Sequence, residues 1–338
     1  MSTDERILIG HGSGGKLYRD LVGDVFVAAF SNPVLDRLDD AAELASPGAR
    51  LAFTTDAHVV QPLEFPGGDI GTLAVAGTVN DLATAAARPL ALAAAFIIEE
   101  GFPLPALRRL CASMGRTAGS VGVPIVTGDT KVVQRGLADG VYITTTGVGE
   151  IVVAHRLGSD TVRPGDLVLL TGSIGDHAAA VLAARGEFHL ALDIESDCAP
   201  LWHLVAAVLA AAGEDLRFLR DPTRGGLTTV LAELAESSGL GIEVEEAAIP
   251  ISAPVQALCD LLGYDPLVLA NEGKMVMVVG PESAAAVLTA LRAHPLGRRA
   301  AIIGELTEAH PRRVALRTAF GTRRVLDMPI GELLPRIC

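Results

Sequence analysis

Apolar and polar positions alternate along this chain in two rhythms, and the switch between them predicts the elements. Leu51-Ala52-Phe53-Thr54-Thr55 reads as a strand ending at Asp56, and Ala91 to Ile98 as a second. Val141 to Val148 is β-branched and strand-like, and Leu167 to Thr171 makes another strand. Helical spacing fits Leu17 to Phe30, Ile70 to Ala87, Leu104 to Val121 with Pro105 near its start, Asp176 to Ala184 and Leu201 to Ala212. A further helix opens at Leu227. Pro124 to Val126 reads as a short strand that stops at Gly128-Asp129, and Val268 to Val279 as a strand pair around Asn271-Glu-Gly-Lys274. The turn signal Arg163-Pro164-Gly165-Asp166 marks a change of region, so a domain boundary is placed near 150–163. Strands and helices mix in both halves, which predicts an α/β (α+β) protein.

Composition sharpens that picture. With 338 residues there is room for two domains, each with its own core. Aromatics are scarce and Ala, Val and Leu dominate, which suits helices packed on sheets. The 36 glycines cluster in short motifs, as tight turns near ligands would require. A net charge of −13 excludes nucleic-acid or anionic-membrane binding through a general positive field. Cys111, Cys198, Cys259 and Cys338 lie far apart with no CxxC, which fits a reducing cytoplasmic setting without a zinc site or disulfide framework. The N-terminus shows no signal-peptide pattern, and the apolar run Leu90 to Ile98 is too short to span a bilayer.

The chemistry-bearing residues come next. Gly10-His-Gly-Ser-Gly-Gly-Lys16 satisfies GxxxxGK, but Leu17 stands where a P-loop needs Ser or Thr. It reads as a mobile glycine-rich flap over phosphates, with a plain flexible N-terminus as the alternative. Asp39-Asp40, Asp56, Asp81, Asp129 and Asp221 stand beside turn-forming or hydroxyl residues, several at strand ends. Hard oxygen ligands placed that way are what magnesium and a triphosphate need. Gly128-Asp129-Thr130-Lys131 and Asp221-Pro-Thr-Arg224-Gly-Gly each add a cation. Asn271-Glu272-Gly-Lys274 offers a base near a reacting group, or a surface salt pair. His11, His58 and His177 lie near motifs, where structural or positioning roles fit as well as catalysis. The last residue is Cys338, a thiol on a short tether, with Arg336 two residues upstream to favour the thiolate.

Together these segments resemble the hydrogenase maturation factor E family, the carbamoyl dehydratases. The carrying residues are GHGSGGK at 10–16, DDAA at 39–42, the run from Thr54 to Ala83, and VTGDTKVV at 126–133. They continue with LLTGSIGDHAAAV at 169–181, DPTRGGL at 221–227, NEGK at 271–274 and PRIC at 335–338. DDAA, the Asp56 segment and GDT are also similar to the wider ATP-binding superfamily of aminoimidazole ribonucleotide synthetase, selenophosphate synthetase and thiamin-phosphate kinase. One departure is Glu43, where an apolar residue entering a strand is expected.

The resemblance implies a two-domain aminoimidazole ribonucleotide synthetase-like fold, whose N-terminal domain forms a β-barrel across a homodimer. It divides the chain into a flexible segment 1–35, an ATP-binding and dimerisation domain 36–155, a C-terminal domain 156–330 and a mobile tail 331–338. It implies ATP-dependent dehydration of a carbamoyl group on Cys338, thiocarboxamide to thiocyanate. The partners it implies are a carbamoyltransferase, maturation factor F, and a C–D factor complex that accepts cyanide for [NiFe]-hydrogenase iron. Cys338, Glu272 and Lys131 would be catalytic. Lys131 could hold the transferring phosphate or developing charge, or assist proton removal. ATP would lie against Gly12, Ser13, Gly14, Gly15, Lys16, Asn80, Asp81, Gly128, Asp129, Thr130, Asp221 and Arg224. Magnesium would lie against Asp40, Asp56, Asp81, Asp129 and Asp221. A superfamily kinase acting on a free small molecule would have no use for Cys338, and a non-catalytic adaptor would turn over no ATP.

Overall fold

The computed structural model describes residues 15–27, 35–46, 48–186, 193–329, 334 and 336–338. Gly12, Ser13, Gly14 and Pro335 lie outside them, as do most of the glycine-rich segment and 330–333 of the tail.

Fourteen strands, β1 to β14, are described. The first seven are Ala42–Ser46, Ala49–His58, Glu64–Phe65, Gly68–Asp69, Ala87–Glu99, Ile125–Val133 and Val141–Ile151. The second seven are Leu167–Leu170, Leu216–Arg220, Gly241–Glu245, Val276–Val279, Ala301–Thr307, Val314–Arg317 and Arg323–Leu326. The α-helices α1 to α8 are Lys16–Leu21, Ile70–Thr84, Leu104–Ser120, Asp176–Arg185, Trp202–Ala212, Gly226–Ser238, Ala253–Leu262 and Pro281–Ala293.

The first half folds as a five-stranded sheet in the order β1-β2-β7-β5-β6, antiparallel except for the β5–β6 pair. β7 alternates buried and open positions along its length, as a sheet packed on one face requires. Ala52, Leu92, Ala94, Ile143 and Thr145 turn inward towards α2. On the opposite face Phe53 is 41% and Ile97 45% exposed. The second half is a seven-stranded sheet, β14-β13-β10-β12-β8-β11-β9. Val168 and Leu170 of β8 face the α6 core, while Leu169 faces a core containing α4, α5 and α8 residues.

That second core is continuous with the core of the first half, and α2 is the joint. Nearly every residue of α2 is buried, because the first sheet covers one side and α3, α5 and β9 cover others. A helix apolar all round survives only in such a sandwich. Its start is fixed by Asp69, whose Oδ1 accepts from the Thr72 amide and from Ser113 Oγ on α3.

Three readings of local structure are corrected. β6 does not stop at Gly128 but runs through Lys131 to Val133, because its backbone is paired to β5 along that length. The 268–279 region is not a strand pair: only β11 is a strand. Asn271 to Lys274 form a buried loop, pinned by side chains described below rather than by a partner strand. Glu43 sits on β1 as a charged residue because Arg37 and Arg50 both reach it.

Candidate active site

Four acidic positions distant in sequence converge where the two halves meet. Asp56 lies near the end of β2, and Asp81 near the C-terminal end of α2. Asp221 follows β9, and Asp40 precedes β1. Arg220 anchors Asp40 through Nε at 3.0 Å and reaches Glu233 on α6 at 2.8 Å. Thr54 Oγ1 donates to Asp81 Oδ2 at 2.8 Å and to the Asp40 carbonyl at 3.1 Å. Burial pushes the Asp81 carboxyl well above the usual range, and Asp221, Asp56 and Asp40 add to that. Its place near a helix C-terminus works in the same direction. Asp221 is pushed up to about 8 by burial, then by Asp40 and Asp56. Arg220 offsets part of the same effect at Asp40.

Glu272 enters this cluster from the 271–274 loop. Asn271 holds the loop's base: Oδ1 accepts from the Gly175 amide at 2.7 Å, and Nδ2 donates to the Pro222 and Leu269 carbonyls. One amide therefore clasps the Gly172–Gly175, Asp221–Gly226 and Asn271–Lys274 segments together. Asp197 accepts from the Glu272 amide at 3.0 Å and pairs with Lys274 Nζ at 2.9 Å. Gly273 admits no side chain, since a Cβ there would lie 1.8 Å from the Asp197 carbonyl oxygen. Glu272 is 3% exposed, and its Oε1 has no hydrogen-bond partner among the described residues. Burial, then Asp221, Asp56 and Asp197, raise its carboxyl well above the usual range, and Arg224 opposes them.

The C-terminal tip reaches the same place. The Cys338 carbonyl accepts from the Val59 amide at 3.1 Å, and Ile337 is buried. Burial raises the Cys338 thiol far above its usual value. Arg224 pulls it down, while Glu272, Asp56 and Asp221 push it further up. The tip therefore carries a neutral thiol, which corrects the expectation that Arg336 favours the thiolate. That guanidinium instead meets Asp139 and the Val59 carbonyl.

Other sequence-marked residues fall elsewhere in one copy of the chain. Gly128 lies in the sheet row Asp56–Thr145–Ala94–Gly128, three strand spacings from Asp56, or about 14 Å. Asp129 and Lys131 pair at 2.5 Å on the exposed strand β6, where Lys131 and the Thr130 amide hold the carboxyl below its usual range. Gly128 is needed there, because a Cβ would lie 2.1 Å from the Ala94 carbonyl oxygen. Gly15 and Lys16 rest on Pro329, with the Lys16 amide donating to the Pro329 carbonyl. The Asn80 side-chain amide is spent on backbone, donating to the Ala199 and Glu272 carbonyls and accepting from the Leu201 amide. Sequence reading missed Asp197, Asp139 and Arg185. None belongs to a short motif, and each acts only through folding.

This two-sheet architecture defines the AIR synthase related proteins. Their N-terminal domain family matches residues 38–151 and their C-terminal domain family residues 163–316. Within that class, the chain belongs to the carbamoyl dehydratase HypE family of hydrogenase maturation proteins. It is 54% identical over 338 residues to carbamoyl dehydratase HypE of Rhodobacter capsulatus, covering 99% of each chain. A crystal structure of hydrogenase maturation protein HypE in complex with ATP superposes with a TM-score of 0.82 at 46% identity, covering 98% of this chain and all of that one. A crystal structure of a HypE–HypF complex matches with a TM-score of 0.87 at 44% identity, covering 91% of this chain and 99% of that one. Among the described residues no helix is long and apolar enough to cross a membrane.

Proposed function

We propose that this chain is an ATP-dependent carbamoyl dehydratase acting on its own C-terminal Cys338, converting an S-carboxamide to a thiocyanate for [NiFe]-hydrogenase maturation. The observation that carries this reading is the Cys338 tip lying in the electrostatic reach of Glu272, Asp56, Asp221 and Arg224. An amide oxygen leaves badly as hydroxide. Attack of that oxygen on the γ-phosphorus of ATP expels ADP and turns it into a phosphate ester. Loss of one N–H proton accompanies that step. Loss of the second, with cleavage of the C–O bond, gives the nitrile and inorganic phosphate.

Glu272, once ionised, is the base in this scheme, and its Oε1, with no hydrogen-bond partner among the described residues, is the atom that receives the proton. Arg224 faces the phosphate. Asn80 and Asp197 are positioning residues that fix the Glu272 backbone from both sides. Lys131, Asp129 and Thr130, on the exposed β6 of one copy, serve the site of a second copy in a homodimer. The uncovered sheet face carrying Phe53 and Ile97 is the surface that would close as a shared barrel.

Magnesium fits the donor set. Asp221 is buried and Asp40 and Asp81 partly so; Asp40 raises the Asp221 carboxyl, and Asp221 and Asp40 both raise that of Asp81, a repulsion a divalent cation would relieve. Among the described residues no three such groups converge closely enough to hold an ion unaided. Asp40, Asp81 and Asp221 would hold the ion only together with a bound triphosphate, and it would supply charge neutralisation there. The loading partner is a carbamoyltransferase of the factor F type. The cyanide acceptor is a C–D factor complex.

Intact-mass analysis tests the reading. Incubation with the carbamoyl-loading partner should add about 43 Da at Cys338, and ATP should then remove about 18 Da. An adduct indifferent to ATP rejects the dehydratase. Product formation by Cys338→Ala from a free small molecule would favour a kinase.

A further inference from the structure

The turn that delivers Asp40 to the acidic cluster is strained. Leu38 has a φ of 52°, in the left-handed region that suits glycine, and it is 47% exposed. Beside it a cavity of about 40 Å³ is lined by Arg37, Asp40, Glu43, Arg50, Val153 and Arg220 with others. That is room for a few waters, so close packing on that side does not press the turn into place. A backbone held in such a conformation persists only where its surroundings over-determine it.

Guanidinium groups supply the constraint. On one side Arg220, at the end of β9, donates from Nη2 to the Leu38 carbonyl at 3.2 Å and from Nε to Asp40 Oδ2 at 3.0 Å. On the other, Arg37 donates from Nε to Asp39 at 2.9 Å and from Nη2 to Glu43 at 3.5 Å. Glu43 is the pivot. Its Oε1 accepts from Arg50 Nε at 2.7 Å, and Arg50 Nη1 continues to the Ala154 and Val153 carbonyls at 2.9 and 3.3 Å. Those carbonyls lie just past β7, on the segment that leads into the second half. Both flanks of the turn are thus tied to the joint between the two halves. Exposed ion pairs are individually weak. Here two guanidiniums share one carboxylate, and the strain they oppose is of similar size.

We propose that Glu43 is a positioning residue for the dehydratase: with Arg37 and Arg50 it holds Leu38 in the strained conformation and so keeps Asp40 aimed at the cleft. The inference rests on the reading of that cleft as the magnesium-ATP site. It gives the charged residue at strand position 43 a task that an apolar one could not perform. Without Glu43 the turn relaxes and Asp40 moves off the cluster. Strain of this kind lowers the population of the competent turn about tenfold, and apparent affinity falls with that population.

Calorimetric titration of ATP into the full-length chain at a series of magnesium concentrations tests this. Glu43→Leu should raise the half-saturating magnesium concentration about tenfold, while kcat for tail dehydration at saturating magnesium stays within about twofold of wild type. Glycine adopts the left-handed region without steric cost, so Leu38→Gly/Glu43→Leu should return to within about twofold of wild type. A general loss of stability would not be repaired by a glycine. Hydrogen exchange gives a readout without nucleotide: amides at 38–46 should quicken in Glu43→Leu and slow again in the double variant. Wild-type magnesium dependence in Glu43→Leu overturns the inference and leaves the dehydratase reading standing. A tenfold loss that the glycine leaves unrepaired overturns it equally. A wild-type chain whose ATP binding ignores magnesium overturns the magnesium site and the inference together.

Discussion

At the scale of single residues, the site gathers carboxyls, and some of them are held by a paired cation. Lys274 and Asp197 form such a pair, both mostly buried and 2.9 Å apart. Asp197 also holds the Glu272 amide, so the pair positions the base as well as neutralising itself. Deleting one member strands the other in a poorly solvated place, which costs about 3–5 kcal/mol, whereas an apolar pair of similar volume is tolerated. Asp197→Ala should therefore lower the unfolding free energy in urea by about 3 kcal/mol, and Asp197→Ala/Lys274→Met should recover most of it. If the double variant is no more stable than the single one, the pair is not what the substitution broke. Asn80→Ala should act differently. It frees the Glu272 carbonyl and the Leu201 amide, so kcat should fall about tenfold or more as the base loses its fixed position, with a stability loss of about 1–3 kcal/mol.

At the scale of elements, legibility in the sequence followed periodicity. The α3 helix is read from Leu104 to Val121 and ends at Ser120, because Pro105 and a strong apolar stripe mark it locally. β6 was read too short because Gly128 and Asp129 look like a turn. Its extension depends on β5, which no local pattern reveals. The 271–274 region reads as part of a strand pair for the converse reason: its Glu272 carbonyl, Asn271 amide and Lys274 ammonium are met by Asn80, Pro222 and Asp197, all far away in sequence. Asp39–Asp40, Asp56, Asp81, Asp129 and Asp221 read as a set from their turn-forming and hydroxyl neighbours, and the fold brings Asp40, Asp56, Asp81 and Asp221 together while Asp129 stays on the exposed β6. Their tether Arg220, the Glu272 tether Asp197, and the tail contacts Asp139 and Arg185 carry no such local signal. Gly128→Ala tests how β6 is held. With 2.1 Å between the new Cβ and the Ala94 carbonyl oxygen, the strand must shift, so hydrogen exchange at 125–133 should quicken while the 276–279 strand stays protected. The same sheet presents Phe53 and Ile97 outward. If the homodimer proposed above closes through this face, Ile97→Asp should leave only monomer in light scattering without lowering monomer stability, because the position is open within one chain.

At the scale of the whole molecule, two sheets meet at a seam where carboxyls outnumber the cations that face them, and that imbalance links folding to nucleotide. Asp221 has a folded value of about 8, against an ordinary value of 3.8. Between those limits the folded chain binds a proton that the unfolded chain has released. Stability from this group is complete below pH 4 and is lost as pH rises through about 8, with a slope of at most about 1.4 kcal/mol per pH unit. Asp81 and Glu272 are raised in the same direction. Asp221→Asn keeps the shape and removes one charge, so its Tm advantage over wild type should grow steadily from pH 5 to pH 8 in nucleotide-free protein. Magnesium entering with ATP, as proposed above, would bring a cation against these carboxyls. It should shrink that advantage, and its binding should release protons, read by calorimetry in buffers of different ionisation enthalpy. A Tm difference that is flat across this range, together with binding that releases no protons, would mean that Asp221 is ionised before the nucleotide arrives and that the seam holds its charge by some other counterweight. A Tm difference that widens with pH would mean that Asp221 is protonated at rest and is ionised by the incoming cation.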